Sequence, residues 1–196
     1  EAAGFRHDVT ILYGDTTKDA KGRDAYAMTP TFEVSTRPFV YEFQAGEALV
    51  VLSQPKLRGV IHDARVVRAQ AGDHLVVPPG WTHAIVKVSD EPVVMSSWVA
   101  VDPSAPAVGF SSRRSPVTAL REQGKHGEPQ GKLALNSAWG YRTTVHWAIP
   151  ARSLPVFGLE AGRPMYELLR APNHLAFLRN PRRIGWAARY QRAFDR

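Results

Sequence analysis

The chain of 196 residues contains no cysteine and no long hydrophobic run. The lack of cysteine excludes disulfides, thiolate metal sites and cysteine nucleophiles, and it is compatible with a reducing compartment. A membrane-spanning helix needs about 20 consecutive apolar residues, and the sequence has no such run. The first residues also lack the basic-then-apolar order of a signal peptide. These absences predict a soluble, cytoplasmic protein with no membrane partner.

Charge is unevenly distributed along the chain. Residues 1–112 carry 10 Lys and Arg against 13 Asp and Glu, whereas residues 113–196 carry 15 against 5. A basic tail can bind nucleic acid or a phosphorylated ligand. Here the arginines alternate with Leu, Trp and Phe, and no nucleic-acid motif accompanies them. This pattern favours an arm that packs over the rest of the protein, so we expect no nucleic-acid partner.

Residues 1–112 consist of short β-type segments separated by Gly, Asp and Pro turns. The predicted strands are Val9–Tyr13, Tyr26–Val34, Phe39–Phe43, Ala48–Leu52, Ala64–Ala69, His74–Val77, His83–Val88 and Val93–Val101. The polar stretch 15–24 is predicted to be a loop. Strands this short indicate a closed antiparallel sandwich or barrel, so the predicted fold class is all-β.

Residues 113–196 form a predicted extension of different character. The segment 124–131 is a predicted polar loop, and Tyr141–Ile149 is β-branched and aromatic enough for a strand or hairpin. Apolar residues at helical spacing predict helices over Met165–Arg170, His174–Arg179 and Ile184–Phe194. We therefore divide the chain into a barrel domain, 1–112, and an α-helical C-terminal extension, 113–196, that packs on it.

Several motifs resemble the cupin-type glucose-6-phosphate isomerase family. They are the stretch Arg37–Leu49, the turn Ala71-Gly72-Asp73, the segment Val77-Pro78-Pro79-Gly80-Trp81-Thr82-His83 and the segment Ser89–Met95. The tail segments Leu154–Leu168 and Phe177–Pro181 are similar to the C-terminal extension of the longer members. The turns occur throughout the cupins, whereas the tail is specific to this family. The resemblance implies a cupin (double-stranded β-helix, or jelly-roll) barrel and a homodimer.

The metal site that the resemblance implies is largely replaced. The family uses a Gly-His-x-His segment, a glutamate and a final histidine, and these positions fall on Pro30, Phe32, Phe39 and His83. Proline and phenylalanine side chains donate no lone pair, and one neutral ligand cannot retain a labile divalent ion. We therefore predict no metal and no cofactor. A strand bulge that turns Glu33 inward to pair with His83 is the alternative.

The inward faces of two strands give the candidate site. Period-two alternation places Phe39, Tyr41 and Phe43 on one face, and Trp81, His83 and Ile85 on another. If both faces point into the barrel, these side chains line an apolar pocket for a small molecule. Phe32 and Trp98 complete this predicted substrate-binding set, with Trp98 closing one end. The alternative is that the rings fill a solid barrel.

The sequence leaves two function classes open. In the first, the protein is a metal-independent isomerase, epimerase or cyclase, in which His83 and Tyr41 are catalytic and transfer protons. In the second, it is a non-catalytic cupin that binds a ligand in the same pocket. Retained isomerisation of glucose 6-phosphate follows from the family resemblance alone. His74 is predicted to be a solvated turn residue, and Lys87 a surface residue.

Overall fold

The computed structural model describes residues 4–14, 16–18, 22–29, 37–56, 60–101, 117–123, 129–136, 140–141, 145–150, 154–181 and 194–195. The strands are β1 (Phe5–Leu12), β2 (Thr16–Lys18), β3 (Asp24–Tyr26), β4 (Phe39–Ala45), β5 (Glu47–Lys56), β6 (Val60–Gln70), β7 (His74–Val77), β8 (Thr82–Lys87), β9 (Val93–Ala100), β10 (Val117–Gln123), β11 (Pro129–Leu135), β12 (Gly140–Tyr141), β13 (Val145–Pro150) and β14 (Phe194–Asp195). The helical turns are three 3-10 helices, Pro155–Phe157, Met165–Arg170 and Pro172–Leu175, and the α-helix α1 (Ala176–Arg179).

Two antiparallel sheets form the barrel. The first sheet has the strand order β1-β9-β4-β7. The second has the order β14-β13-β6-β5-β8; its strands β6, β5 and β8 form the barrel layer, and an isolated bridge from Met28 to Val86 extends it beyond β8. From β4 to β9 the chain passes back and forth between these two sheets, which is the topology of a jelly roll. The predicted all-β cupin barrel is therefore confirmed.

Alternation along the strands explains which residues enter the barrel. On β4 the odd-numbered residues Phe39, Tyr41 and Phe43 are buried, and on β8 His83 and Ile85 share one face. Leu52 lies opposite His83, and Val50 lies opposite Ile85. These side chains belong to one continuous apolar cluster with members from both sheets. The two faces predicted to point inward therefore do face each other.

Two tight turns are explained by the residues that form them. Gly46 joins β4 to β5 with φ +71°, and a Cβ at this position would lie 2.5 Å from the backbone oxygen of Pro92. Only glycine fits both the conformation and the space. Asp73 closes the turn between β6 and β7, because its carboxylate accepts a 2.9 Å hydrogen bond from the backbone N–H of Gln70.

A third sheet, with the order β11-β10-β3-β2, packs on the outer face of the second sheet. Val117 and Ala119 of β10 contact a cluster that includes Val51 and Val66. Two predictions are corrected here. The stretch 15–24 is not all loop, because Thr16–Lys18 pairs with Asp24–Tyr26. Likewise β11 begins at Pro129, within the predicted polar loop, because it pairs with β10 along its length.

The segment 154–181 packs on the outer face of the first sheet and shares its apolar cluster with the barrel. Its helices are shorter than predicted. Met165–Arg170 and Pro172–Leu175 are 3-10 turns, and α1 spans four residues. Pro172 follows directly on the first turn, where the ring disfavours helical geometry in the preceding residue. The predicted helix Ile184–Phe194 lies almost entirely outside the described residues, but Phe194 itself is in strand β14.

Beyond these helical turns, β13 runs parallel to β6 at the edge of the second sheet. This position confirms the strand predicted over Tyr141–Ile149. None of the helices among the described residues has the length and hydropathy that crossing a bilayer requires.

Candidate functional site

Tyr41 and His83 form a direct hydrogen bond at the centre of the barrel. The distance from Tyr41 Oη to His83 Nε2 is 2.6 Å. Tyr41 comes from β4 of the first sheet and His83 from β8 of the second, so the bond joins the two layers. The side chains are 3% and 1% exposed. The two residues predicted to be catalytic are therefore brought together.

Burial sets the protonation of this pair. It lowers the pKa of His83 to about 3, because the charged imidazolium has no water around it. Burial also raises the pKa of Tyr41 above its ordinary value. The carboxylate of Asp8 adds to this rise, and the guanidinium of Arg6 opposes it. At neutral pH the pair is therefore a neutral phenol hydrogen-bonded to a neutral imidazole.

Aromatic and aliphatic side chains enclose the pair. The Phe39 ring lies 5.0 Å from the His83 ring and is stacked at 6.2 Å on Tyr41. Phe43 and Ile85 are also fully buried. A side chain that borders a water-sized space retains accessible surface, even when that space is enclosed. These side chains retain almost none, so in this structure they pack against one another at the barrel centre.

Trp81 lies at the edge of this cluster, beside charged residues. The guanidinium carbon of Arg65 is 5.7 Å from the centroid of the Trp81 ring, within cation–π range. Asp63 binds the same guanidinium at 2.9 Å. Arg65 lies opposite Leu52, which in turn lies opposite His83, so Arg65 is on the inward face of the second sheet. The apolar centre therefore borders a half-buried ion pair.

Trp98 does not lie where the sequence placed it. In the ladder between β4 and β9, Tyr41 pairs with Ser97 and Val40 pairs with Trp98. Because Tyr41 points inward, Ser97 shares that face and Trp98 points outward. Its ring packs against His7 at 4.7 Å and Tyr166 at 6.2 Å, under the C-terminal extension. Phe32, the remaining predicted member of the site, lies outside the described residues.

The described residues do not fit a divalent metal. His83 Nε2 is already hydrogen-bonded to Tyr41, and the phenyl ring of Phe39, which has no donor atom, lies 5.0 Å from the His83 ring. Within the described ranges, no group of three or more His, Asp or Glu side chains is arranged to hold an ion. Pro30, Phe32 and Glu33 lie outside those ranges, so the alternative involving Glu33 stays a prediction.

Two residues differ from their sequence-based predictions. His74 is 1% exposed, not solvated, because it begins β7 beneath the C-terminal extension. Lys87 is also buried, and its ammonium group donates to the backbone carbonyls of Ser89 and Asp90. The burial of His74 could not be found from the single sequence, because it depends on the pairing of β4 with β7, which places His74 opposite Glu42.

Comparison with solved structures finds cupin proteins of low identity. Bacillus subtilis oxalate decarboxylase is 19% identical with a TM-score of 0.39, over 52% of this chain and 23% of that chain. The Schizosaccharomyces pombe Cnp3 cupin domain is 17% identical with a TM-score of 0.37, over 52% and 56%. An oxalate oxidase is 15% identical with a TM-score of 0.40, over 55% and 46%. The chain thus spans less than two thirds of the length of each of these proteins. No curated protein matches the chain.

The match to a sequence-family model covers more of the chain than these structural matches do. The family model described as glucose-6-phosphate isomerase (GPI) matches residues 1–131, which is more than half of the chain. This range contains both sheets of the barrel and the Tyr41–His83 pair. The chain belongs to the glucose-6-phosphate isomerase (GPI) family.

Proposed function

We propose that this protein is a cupin isomerase-type enzyme that works without a divalent metal and uses Tyr41 and His83 to transfer protons on a small-molecule substrate. The observation that carries the proposal is the 2.6 Å hydrogen bond between these side chains. It occurs where the family resemblance places the last metal ligand. Membership in an isomerase family supports the reaction class.

The protonation state of the pair limits its chemistry. An imidazole with a pKa of about 3 is a weak base, so His83 is poorly suited to removing a proton from carbon unaided. A neutral imidazole and a phenol are instead good hydrogen-bond donors to an oxygen that gains negative charge. Both kinds of donor stabilise enolate-like transition states in other isomerases. We assign His83 and Tyr41 this acid role. The proton that leaves carbon passes to a water molecule that enters with the substrate, and Tyr41 donates its hydroxyl proton to the substrate oxygen.

The surroundings favour a substrate that is apolar or of mixed polarity. A charged group beside Tyr41 and His83 would lose its hydration, and the described side chain stacked against this pair, Phe39, carries no charge to compensate it. Phe39, Phe43 and Ile85 offer apolar contacts instead. Because these side chains are packed together, substrate entry requires a side chain such as Phe39 or Trp81 to move aside.

A non-catalytic cupin is the second candidate, and the close packing of the barrel centre favours it. A filled barrel in which His83 is uncharged needs no substrate to satisfy the Tyr41–His83 pair. Under this reading the pair fixes the relative position of the two sheets, and any ligand binds at the barrel edge near Trp81 and Arg65.

Deuterium exchange tests the enzyme proposal with a panel of compounds in place of a single substrate. The purified protein is incubated in D2O with uncharged hydroxyketones and hydroxyaldehydes, and NMR measures deuterium incorporation next to the carbonyl. We expect incorporation with the wild type, a loss of about 10- to 1000-fold with Tyr41→Phe, and none with His83→Ala. Tyr166→Phe is the matched control, because Tyr166 is an exposed tyrosine outside the barrel.

Two results would contradict the proposal. Tyr41→Phe could exchange as fast as the wild type, or the wild type could bind a panel member without exchange, which would support the binding protein. A coupled assay for conversion of glucose 6-phosphate to fructose 6-phosphate tests the parental activity. We expect turnover below about 1 per second, the low end for ordinary enzymes. The reason is that Pro30, Phe32 and Phe39 stand where the family resemblance places two metal-binding histidines and a glutamate.

A further inference from the structure

Consecutive residues of β4 face opposite sides of the first sheet. Tyr41 points into the barrel and bonds to His83. Glu42 points outward, and its Oε2 accepts a 2.9 Å hydrogen bond from the backbone N–H of Met165. Met165 begins a 3-10 helix of the C-terminal extension. The extension is therefore attached to β4 at the residue next to Tyr41.

The Glu42 contact lies within a well-packed interface. Glu42 is opposite His74 on β7 and opposite Ser96 on β9, and both of these side chains are buried. Met165 is 1% exposed, so its amide group has little access to water other than through this interface. A backbone N–H at the start of a helical turn needs an acceptor, and the Glu42 carboxylate supplies it.

Apolar contacts hold the extension in place around this hydrogen bond. Trp98, on the neighbouring strand β9, packs against Tyr166, the residue after Met165. Leu168 and Leu178 of the extension are buried in the same cluster as Val40 and Val76 of the sheet. The extension therefore covers the outer face of the first sheet and is hydrogen-bonded to β4 at Glu42, the residue next to Tyr41.

We propose that Glu42 is a positioning residue, through which docking of the C-terminal extension sets the place of Tyr41 against His83. A 2.6 Å hydrogen bond tolerates displacements of only a few tenths of an ångström before it weakens. A shift of β4 at Glu42 moves the adjacent Tyr41 backbone directly. The proposal rests on the proposed function in one respect: it takes the Tyr41–His83 pair to be the working site, which is then complete only when the extension is docked.

The proton shared by Tyr41 and His83 provides the readout. In ¹H NMR it is a downfield resonance, assigned by its absence in Tyr41→Phe, and its exchange rate with water reports how well the pair is held. Glu42→Asp keeps the charge but shortens the side chain by one methylene, so the carboxylate no longer reaches Met165. We expect exchange to become about tenfold faster, as for the loss of one net hydrogen bond.

Two further variants separate positioning from general damage. Glu42→Gln keeps the reach and an acceptor oxygen, so it should restore exchange to near the wild-type rate. Gln44→Asn shortens the next outward-facing side chain of β4, whose amide group donates to the Ser96 hydroxyl. It should leave the resonance unchanged. Circular dichroism confirms that each variant is folded.

The outcomes distinguish this inference from the proposed function. If Glu42→Asp exchanges as the wild type does, or if Gln44→Asn accelerates exchange equally, the positioning role is wrong. If Glu42→Asp is unfolded, Tyr166→Ala replaces it, because it removes an exposed ring that holds the extension against Trp98 and leaves the buried Met165 in place. The same acceleration is then required. If Glu42 controls the resonance but Tyr41→Phe leaves deuterium exchange into substrate unchanged, the coupling stands and the proposed function fails.

Discussion

Phe39 occupies the position at which the family resemblance places a metal-binding glutamate. A phenyl ring cannot ionise or coordinate an ion, but it contributes a large apolar surface. The structure shows this surface in use, since Phe39 is 2% exposed and its ring lies against both His83 and Tyr41. At this residue the side chain contributes packing to the barrel centre.

Truncation of the Phe39 side chain should therefore destabilise the protein. We expect Phe39→Ala to lower the free energy of unfolding by about 3–5 kcal/mol, because a buried ring leaves a cavity that its neighbours fill only in part. Urea denaturation measures the change. Val9→Ala is the control, since Val9 is 58% exposed on β1 and should change stability by no more than about 0.5 kcal/mol. A loss below about 1 kcal/mol would mean that the centre of the barrel is open.

Single residues also show how far the sequence can predict the site. Tyr41 and His83 were predictable, because period-two alternation within β4 and β8 fixes which side chains share a face. Trp98 was not. It follows Ser96 and Ser97, two small polar residues whose alternation identifies no inward face. Its orientation depends on the pairing of Tyr41 with Ser97, and cross-strand register is not contained in one strand's sequence.

Among the elements, strand β7 begins with a buried histidine, His74, which lies beneath the C-terminal extension. Burial lowers the pKa of His74 below its ordinary value, although Glu42, Asp73 and the backbone of Arg163 oppose part of that effect. His74 is thus held neutral in the folded protein. In the unfolded chain it takes up a proton near its ordinary pKa of about 6.5.

This difference makes stability depend on pH. Above about pH 6.5 both states leave His74 neutral and its contribution is fully present. As pH falls from there through the folded pKa, the unfolded state binds more protons, so the contribution is lost. His83 acts in the same direction. We expect the loss of stability between about pH 7.5 and about pH 5.5 to be smaller in His74→Leu than in the wild type, as measured by urea midpoints.

His174→Leu is the control for this measurement, because His174 is an exposed histidine in the same extension. Equal pH dependence in His74→Leu and the wild type would show that His74 does not titrate differently on unfolding.

Element boundaries were harder to predict than element types. The barrel strands from Phe39 onward were recognised because each is an apolar run ended by a Gly, Asp or Pro turn. The strand predicted over Tyr26–Val34 is wrong at its start, because β3 ends at Tyr26 and Met28 forms an isolated bridge; residues 30–36 lie outside the described residues. The β2–β3 hairpin was missed because most of its residues are polar, and its two strands are defined by pairing with each other and, at Ala25, with Leu120 of β10. Helical periodicity in the tail was real, but Pro172 separates the helix Met165–Arg170 from the next one, which it begins, and each helix is short.

At the scale of the whole molecule, the basic C-terminal part behaves as an arm on the barrel over residues 154–181. Arg179 lies 4.4 Å from the Phe5 ring, and Arg37 donates to the backbone oxygen of Arg179 at 2.9 Å. Arg163 pairs with Glu160 and Glu167 within the arm. These contacts use arginine to bind the arm to the barrel and to itself. The expected homodimer and the absence of a nucleic-acid partner stay predictions.

Metal content tests the whole-molecule consequence of the replaced ligands. We expect elemental analysis after gel filtration to find no stoichiometric Fe, Zn, Mn or Ni, even after incubation with each ion, because Pro30, Phe32 and Phe39 offer no donor atoms and one imidazole cannot hold a labile ion. Surface histidines can retain traces, so His83→Ala is measured in parallel. About one ion per chain in the wild type that is lost in His83→Ala would contradict the prediction. It would also require a second ligand, for which an inward-facing Glu33 is the nearest candidate in sequence, and the barrel would then have rebuilt a metal site with new residues.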